Sequence, residues 1–457
     1  MVLWHPSIIP IERKPKAGKK LLGAPPLILS LSFACLIMLG TVLLKLPIAT
    51  TEPITWIQSL FTATSAITVT GLVVVDTGTA FTPFGQVVIA FLIQCGGLGL
   101  MTFAIVTLLA LGGKIGFLER AVAREAFNQT DSSTLIATAK SVLSVLMFAL
   151  LVELIGFTIL SVYWSEELGW KTSLFHGFFY TISAFNNAGF ALSADSLMPY
   201  VDDPVVNFTI TSLFIIGGLG FSVWIDLKRN RRWHRLTVYS RMMILGTMII
   251  NVVALIAIYL IEYDNPNTLA PLSEAGKWWA SWFQAVTPRT AGFNTLDIDQ
   301  LEDATTAIIL VLMFIGGGSL STASGIKVVT FMVLVLATYS YLRRDEATYA
   351  FQREIPKETI SKALALTLIS VGVTWFAIFT LLLTEKASML DIMFEAVSAL
   401  GTVGLSRGLT GSLSEPGELV IIFMMFMGRL GPLTLAYFLA SPRKKKARYA
   451  STKLAIG

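Results

Sequence analysis

Long apolar runs alternate with short polar segments along the 457 residues of the chain. Each run reaches or exceeds the roughly 20 residues that a helix needs to cross the hydrocarbon of a bilayer. Eight crossings would return both termini to one side of the membrane. The runs cover residues 24–48, 82–112, 137–164, 205–227, 242–261, 304–341, 361–384 and 417–440.

A shorter apolar segment lies between the two runs of each successive pair. The four segments align without gaps, and each opens on an aromatic residue and closes on a glycine. They read FTATSAITVTG (61–71), FYTISAFNNAG (179–189), WFQAVTPRTAG (282–292) and FEAVSALGTVG (394–404). A second motif follows each closing glycine after 24 to 28 residues. It reads GGLG (96–99), GGLG (217–220), GGGS (316–319) and GRLG (428–431).

Two linked motifs that recur four times in register indicate an internal fourfold repeat. Each repeat contains a helix, a short segment and a second helix, so it starts and ends on the same side of the membrane. Repeats of one orientation are related by an axis along the membrane normal, and four of them enclose a central path. The pattern predicts an all-α membrane protein with eight transmembrane helices and four re-entrant pore helices, in a pseudo-fourfold arrangement around an ion pore.

The four segments are too short to cross a bilayer, so each must enter and return from the same side. Backbone carbonyls left unpaired at the end of a re-entrant helix are tolerated where they line water or bind an ion. Rings of such carbonyls can replace the hydration shell of K⁺. The residues before the closing glycines carry no ionisable side chain, which favours coordination by the backbone. We expect K⁺ at the backbone carbonyls of Thr70, Gly71, Ala188, Gly189, Ala291, Gly292, Val403 and Gly404.

The sixth run is too long for one straight helix, and its middle reads GGGSLSTASGIK (316–327). Each glycine weakens a helix by about 1 kcal/mol, so we expect a break and an irregular loop at mid-membrane depth. Exposed backbone at that depth must face protein or a water-filled cavity. We interpret the loop as an intramembrane gate, with a packing kink as the alternative. The predicted gate residues are Gly316, Gly317, Gly318, Ser319, Ser321, Thr322, Ser324, Gly325, Lys327 and Arg429.

Arg429 stands where the other three repeats have glycine. An arginine at the centre of a membrane helix costs about 2.5–3.5 kcal/mol, which argues against a lipid-facing position. We expect Arg429 to reach the cavity below the filter, contact the gate loop and add an electrostatic barrier. A buried arginine bonded to carbonyl groups at helix ends is the alternative, and the two interpretations are compatible.

Two further charges lie within predicted intramembrane segments. Arg289, three residues before Gly292, could steer or screen ions, and we interpret it as a structural residue behind the filter. Glu153 is a lone acid inside the third run, and an intramembrane acid marks a functional site by default. Proton coupling is one hypothesis for its role.

Composition excludes several classes of protein. Apolar residues make up 54% of the chain and charged residues 14%, which excludes a disordered chain, a disulfide-stapled secreted domain and an ordinary soluble enzyme. The segments on the side of the termini hold 25 of the 34 Lys and Arg residues, and the opposite segments hold 19 of the 29 acidic residues. The basic side is predicted to be cytoplasmic. An acidic outer mouth would concentrate cations, although acidic outer loops are also common without such a role.

The motifs TVTG, FNNAGF, TPRTAGF and GTVGL, in that order, resemble the four filter loops of the Trk/Ktr/HKT superfamily of K⁺ transporters. The resemblance covers the whole chain. The short tails and the single glycine per loop are most similar to KtrB, the membrane subunits of bacterial Ktr systems. Some Na⁺-favouring plant relatives have serine at the first filter glycine, so Gly71 favours K⁺.

This resemblance implies K⁺ uptake, often Na⁺-dependent, by a homodimer with one pore per protomer in the bacterial cytoplasmic (inner) membrane. It also implies a cytosolic KtrA-like nucleotide-binding ring as regulator. The chain itself has no nucleotide-binding motif, so nucleotide sensing must come from that partner. The expected cofactors are K⁺ as the transported ion and Na⁺ as a possible activator. We expect no organic cofactor and no nucleic-acid partner.

Three alternatives compete with this interpretation. A Na⁺-selective channel or symporter on the same scaffold is distinguished by ion competition. An alternating-access solute carrier would need inverted repeats, and a membrane enzyme would need a cluster of catalytic side chains. Neither feature is evident in the sequence, so we expect no enzyme. The predicted divisions are a cytoplasmic N-terminus (1–23), repeat 1 (24–112), a cytoplasmic loop (113–136), repeat 2 (137–227), repeat 3 with a broken second helix (228–341), repeat 4 (342–440) and a basic cytoplasmic tail (441–457).

Overall fold

The computed structural model describes residues 25–110, 135–318 and 321–431, and within these ranges the chain is mostly helical. The predicted terminal segments, most of the loop 113–136 and Ser319 of the predicted gate lie outside the described residues. The helices are α1 (Pro25–Leu44), α2 (Trp56–Thr68), α3 (Thr77–Ala80), α4 (Pro83–Ala110), α5 (Leu135–Tyr163), α6 (Ser165–Leu168), α7 (Trp170–Phe185), α8 (Pro204–Leu219), α9 (Phe221–Arg229), α10 (Val238–Glu262), α11 (Glu274–Val286), α12 (Asp303–Phe314), α13 (Val328–Leu342), α14 (Lys357–Thr384), α15 (Met389–Gly401) and α16 (Glu415–Leu430).

Helices occupy each of the eight apolar runs in the part of the chain that the structure describes. Within that part, α5, α10 and α14 are each long and apolar enough to cross a membrane, and α8 with α9 forms a fourth, bent candidate. Shorter apolar stretches lie in α1, α4, α12 and α13. The outward surfaces of the apolar helices carry large apolar side chains such as Phe376 of α14, which is 72% exposed, as a lipid-facing helix requires.

The axes of α8 and α9 differ by 87°. Gly220 joins them with φ of +95°, a backbone conformation that glycine adopts at little cost. The hydrophobic pattern of the fourth run is continuous across this point. The sequence therefore predicts a break in the sixth run and misses this one, because the turn depends on the backbone angle of one glycine.

The helix of the sixth run is interrupted between Phe314 and Val328, where the glycine-rich stretch predicts a break. The two ends of the interruption pair with each other. The amide of Gly316 donates to the carbonyl of Ile326 at 2.8 Å, and the amide of Val328 donates to the carbonyl of Gly317 at 3.2 Å. These two hydrogen bonds hold the ends of α12 and α13 together, and the chain between the two helices is not helical. We refer to residues 315–327 as the central loop.

A small β-hairpin departs from the all-helical prediction. Strands β1 (Thr348–Ala350) and β2 (Arg353–Ile355) pair antiparallel before α14. Phe351 and Gln352 make the turn, both with positive φ. The guanidinium of Arg241 lies 4.7 Å from the centre of the Phe351 ring, so contacts with α10 help to fix a turn that lacks glycine.

The four predicted short segments begin as helices, namely α2, α7, α11 and α15. Thr55, Ser273 and Ser388 cap α2, α11 and α15 by accepting a hydrogen bond from an amide of the first turn. The aromatic residue that opens a segment is fully buried in three of the four, at Phe61, Phe179 and Phe394. In the third segment the next residue, Phe283, takes that buried place. These aromatic side chains anchor the short helices in the core.

Candidate functional site

The closing glycines of the four segments lie against one another in a closed ring, which we call the glycine ring (Gly71, Gly189, Gly292 and Gly404). A methyl group added to any of them would lie 2.8–3.3 Å from the Cα atom of the next glycine in sequence order, and the last glycine faces the first. The same methyl group would meet the carbonyl oxygen of the residue before that next glycine. These oxygens belong to Ala188, Ala291, Val403 and Thr70.

All four ring glycines have positive φ, between +68° and +94°. An L-residue in the left-handed region costs roughly 1–2 kcal/mol, and here its Cβ would also meet backbone oxygen. The structure thus brings the eight predicted ion-binding residues together, with carbonyl oxygens directly beside the ring. Glycine is required at these positions by its backbone angle and by the close approach of four chains.

The residue two positions before each ring glycine is also left-handed. These residues are Val69, Asn187, Thr290 and Thr402, with φ of 57°, 60°, 74° and 49°. Valine and threonine are branched at Cβ and rarely adopt this conformation. Such backbone strain persists only where the surrounding structure imposes it, and it is concentrated at functional sites. The four segments therefore share an unusual backbone path as well as a sequence motif.

A hydroxyl side chain fastens each segment to its own helix. The hydroxyls of Ser65 and Ser398 accept from the amides of Gly71 and Gly404, both at 3.1 Å. In the other two segments the hydroxyl donates to the carbonyl of the residue after the glycine. These bonds join Ser183 to Phe190 at 2.8 Å and Thr287 to Phe293 at 2.5 Å.

The residue-level prediction missed these four hydroxyls. The aligned sequences do contain a signal for them. Serine occupies the fifth position of the first, second and fourth segments, and threonine occupies the sixth position of the third.

The second glycine motif packs against the same helices. A methyl group on Gly96, Gly217 or Gly428 would meet the carbonyl oxygen of a residue that lies four positions before a ring glycine. These carbonyls belong to Ile67, Phe185 and Leu400. In the third repeat the equivalent Gly316 instead faces the carbonyl of Ser324, within the central loop. The third repeat therefore uses its motif to support the loop.

Thr322 connects the central loop to the second segment and to α8. Its hydroxyl donates to the side-chain oxygen of Asn187 at 2.8 Å and lies 3.4 Å from the carbonyl of Phe185, the last residue of α7. Its amide lies 3.4 Å from the carbonyl of Gly217, and the amide of Gly318 donates to the carbonyl of Gly218 at 2.8 Å. The loop therefore touches the end of a short helix next to the glycine ring.

Arg429 of α16 also contacts the central loop. One terminal nitrogen donates to the carbonyl of Thr322 and lies 3.4 Å from the hydroxyl of Ser324. The other donates to the carbonyl of Gly96 on α4. The side chain is 7% exposed and bridges two elements through backbone oxygens. Contact with serines or carbonyls of the loop is what the sequence-based hypothesis expected.

The remaining described gate residues stabilise the loop internally. The ammonium of Lys327 donates to the carbonyl of Ala323 at 2.8 Å. The hydroxyl of Ser321 donates to the carbonyl of Gly318 at 2.7 Å, and Gly325 has φ of +70°. Both contacts tie one part of the loop to another. Lys327 lies directly before α13, at the end of the loop.

Arg289 lies behind the third segment. It is 7% exposed, and its Nε atom has no hydrogen-bond partner among the residues that the structure describes. It borders a cavity whose walls include Gly218 of α8, Thr247 of α10 and Gly317 of the central loop. Its surroundings therefore differ from those of Arg429, whose terminal nitrogens donate to carbonyls.

The sequence pattern did not single out Glu395, a fully buried carboxylate on α15. It accepts hydrogen bonds from the hydroxyls of Thr410 and Ser406, the latter at 2.8 Å. One turn earlier, Asp391 pairs with Arg407 at 2.8 Å. Two acids on one helix thus hold the chain that follows the fourth ring glycine. Acidic residues are common in the loops predicted to lie outside, so the sequence alone gives no reason to choose these two.

Comparisons with known proteins agree on one family. The family model of TrkH, described as cation transport protein, matches residues 26–449. The chain is 47% identical to the Ktr system potassium uptake protein B of Bacillus subtilis, over 97% of this chain and 99% of that protein. It is 44% identical to the Ktr system potassium uptake protein B of Vibrio alginolyticus, over 95% of each chain.

The fold has a solved counterpart. The crystal structure of the potassium transporter TrkH from Vibrio parahaemolyticus superposes with a TM-score of 0.74, at 20% sequence identity, covering 94% of this chain and 87% of that one. This likeness shows a shared fold. Together with the apolar helices, the family match makes the chain a multi-pass membrane protein and a transporter rather than an enzyme. The chain belongs to the TrkH family of cation transport proteins.

Proposed function

We propose that this chain takes up K⁺ across the bacterial cytoplasmic membrane through a filter made of backbone carbonyls. The glycine ring is the observation that carries the proposal. Four left-handed glycines approach one another closely, and a carbonyl oxygen precedes each of them. Carbonyl rings of this kind replace the water molecules that a cation loses when it enters a filter. Two relatives that align along nearly their whole length are named as potassium uptake proteins.

The proposal includes the architecture that the repeats predict. Four units of transmembrane helix, re-entrant pore helix and transmembrane helix surround one pore, with the divisions at residues 24–112, 137–227, 228–341 and 342–440. The short helices α2, α7, α11 and α15 act as the pore helices. At 13 to 16 residues they are too short to cross a bilayer.

The central loop acts as the gate of this pore. It contacts Asn187 and the end of α7, next to the glycine ring. Because its backbone is irregular, the loop can move without unfolding a helix. Arg429 holds the loop to α4 and keeps a positive charge near the ion path. Such a charge opposes the passage of a cation until the loop moves.

The resemblance to Ktr membrane subunits supplies the rest of the proposal. The protein works as a homodimer with both termini in the cytoplasm, its transport is Na⁺-dependent, and a cytosolic KtrA-like nucleotide-binding ring regulates it. The relatives' names support a multi-component system, because each is the protein B of a Ktr system. A Na⁺-selective channel or symporter on the same scaffold is the alternative.

The proposal is tested by calorimetric K⁺ titration of the purified chain, in choline buffer and then in Na⁺ buffer. The test variant is Gly292→Ser, whose side chain would meet the carbonyl of Val403 at a φ of +78°. The matched control is Gly169→Ser, because Gly169 has φ of +75° and no atom within 4 Å of an added methyl group. Backbone strain is therefore similar in both variants, and only Gly292→Ser disturbs the ring.

We expect saturable K⁺ binding that outcompetes Na⁺, weakened at least tenfold in Gly292→Ser and unchanged in Gly169→Ser. Binding without preference for K⁺ would favour the Na⁺ alternative. Normal K⁺ binding by Gly292→Ser would place the ion site outside the glycine ring.

A further inference from the structure

Glu153 of α5 is a buried acid that touches the second segment through two amide side chains. The side-chain amide of Gln94 on α4 donates to both carboxylate oxygens of Glu153, at 3.0 and 3.1 Å. The side-chain amide of Asn186 donates to the amide oxygen of Gln94 at 2.6 Å and lies 3.4 Å from Glu153. Glu153 is 8% exposed and Asn186 is fully buried.

Asn186 lies three residues before the ring glycine Gly189, and it occupies a tightly filled place. A methyl group on Gly97 of α4 would lie only 2.0 Å from its side-chain oxygen. Its side-chain nitrogen also donates to the carbonyl of Ile182 in the last turn of α7, at 2.9 Å. The next residue, Asn187, is left-handed and contacts the central loop. A rotation of the Asn186 amide would therefore disturb the end of α7 at the point where the chain turns toward the ring.

The equivalent positions of the other segments use different means. Thr68 bonds to the carbonyl of Thr64 inside its own helix, and Gly401 has no side chain. Arg289 has no acidic partner among the residues that the structure describes. In the described part of the chain, the second segment is thus the one whose residue at this position is hydrogen-bonded to an acid on a neighbouring helix.

The acid gives the hydrogen-bond chain a direction. A carboxylate only accepts, so Gln94 must turn its nitrogen toward Glu153 and its oxygen toward Asn186. The nitrogen of Asn186 must then face Gln94, which also brings it to the carbonyl of Ile182. We propose that Glu153 is a positioning residue for the second filter segment, acting through Gln94 and Asn186. This inference rests on the proposed filter function and assigns a role to a residue outside it.

The decisive variant is Glu153→Gln, which keeps size and shape. Its amide nitrogen would replace a carboxylate oxygen and face the amide nitrogen of Gln94, donor against donor. Either a buried donor stays unpaired or Gln94 turns over and withdraws the acceptor from Asn186. The double variant Glu153→Gln with Gln94→Glu restores the direction of the hydrogen-bond chain, because the new carboxylate at position 94 accepts from Asn186 directly.

The control is Glu262→Gln. Glu262 is a fully buried acid at the end of α10, and its partners Asn265, Thr268 and the amide of Glu302 all lie outside the four segments.

Two measurements test the proposal on the purified full chain. Calorimetry gives the dissociation constants of K⁺ and Na⁺, and hydrogen exchange with mass spectrometry reports the protection of residues 179–190. We expect Glu153→Gln to weaken K⁺ binding about tenfold, lower the K⁺ preference over Na⁺ and speed exchange in the second segment only. The double variant should recover the K⁺ affinity, the K⁺ preference and the protection of the second segment, and Glu262→Gln should change none of them.

The positioning role would be overturned if hydrogen exchange in the second segment of Glu153→Gln were unchanged. It would also be overturned if the double variant recovered none of the three properties. Faster exchange in all four segments would show a general loss of stability and would also overturn it. Absence of K⁺ preference in the wild type contradicts the proposed function instead, and the exchange data still decide the role of Glu153.

Discussion

Arg429 and Arg289 are both 7% exposed and lie near the glycine ring, yet their guanidinium groups meet different surroundings. Arg429 donates to carbonyls of Thr322 and Gly96, which belong to elements that must separate if the central loop moves. Arg289 borders a cavity. The Nε atoms of both arginines lack a partner among the described residues, so the terminal nitrogens make the difference. Those of Arg429 are bonded to carbonyls, and these bonds stabilise one position of the loop.

Replacing Arg429 should therefore favour loop displacement. Hydrogen bonds from a charged group contribute about 1.5–3 kcal/mol, and about 1.4 kcal/mol shifts an equilibrium tenfold. We expect Arg429→Ala to raise K⁺ flux into proteoliposomes at least tenfold when no regulator is present. Arg343→Ala is the control, because Arg343 is exposed and its guanidinium contacts Tyr339. Unchanged flux in Arg429→Ala would remove the arginine from the gate.

At the scale of whole elements, two helix glycines in different surroundings allow a paired prediction. Gly217 of α8 lies directly against the carbonyl of Phe185, whereas Gly372 of α14 has no atom within 4 Å of an added methyl group. Overpacking a close contact costs about 1–3 kcal/mol. Alanine in place of an unhindered helix glycine gains about 0.5–1 kcal/mol.

We expect Gly217→Ala to lower the melting temperature in detergent and Gly372→Ala to raise it slightly. Fluorescence-detected thermal unfolding of the two variants and the wild type measures both shifts. Equal shifts of the same sign would mean that close packing of α8 on α7 does not account for the second glycine motif.

The elements differ in how far the sequence could foresee them. The eight apolar runs, the four short helices and the interruption before Val328 follow from hydrophobic length and glycine content. The bend at Gly220 and the hairpin turn at Phe351 depend on backbone angles and on tertiary contacts such as that of Arg241. No local pattern encodes such contacts, so the sequence could not predict either feature.

The candidate site is likewise only partly predictable from the sequence. Repetition revealed the ring glycines, because four aligned copies make a required residue visible. The partners of Asn186 come from α4 and α5, 92 and 33 residues away in the chain, and no repeat marks them. The acid Glu153 stands out in the sequence because it lies in an apolar run, but only the fold brings it to the second segment.

At the scale of the whole molecule, the repeats are joined to one another by ion pairs as well as at the ring. Arg407 follows the fourth ring glycine and pairs with Asp391 of its own repeat and with Asp299 of the third, at 2.8 and 3.2 Å. It also lies 3.2 Å from the hydroxyl of Thr306. Such ties between repeats hold the four segments in register, which a ring built from separate parts of the chain requires.

The charge distribution makes a last prediction about the whole chain, namely its orientation in the membrane. The segment between α10 and α11 belongs to the acidic side and the β-hairpin to the basic side, which the positive-inside rule assigns to the cytoplasm. Asn267 and Arg353 are exposed representatives of the two sides. In a background with Cys35 and Cys95 replaced by serine, a membrane-impermeant maleimide added to intact cells should label Asn267→Cys. It should label Arg353→Cys only after the membrane is opened. The reverse pattern would invert the topology, and with it the assignment of the acidic mouth to the side from which K⁺ enters.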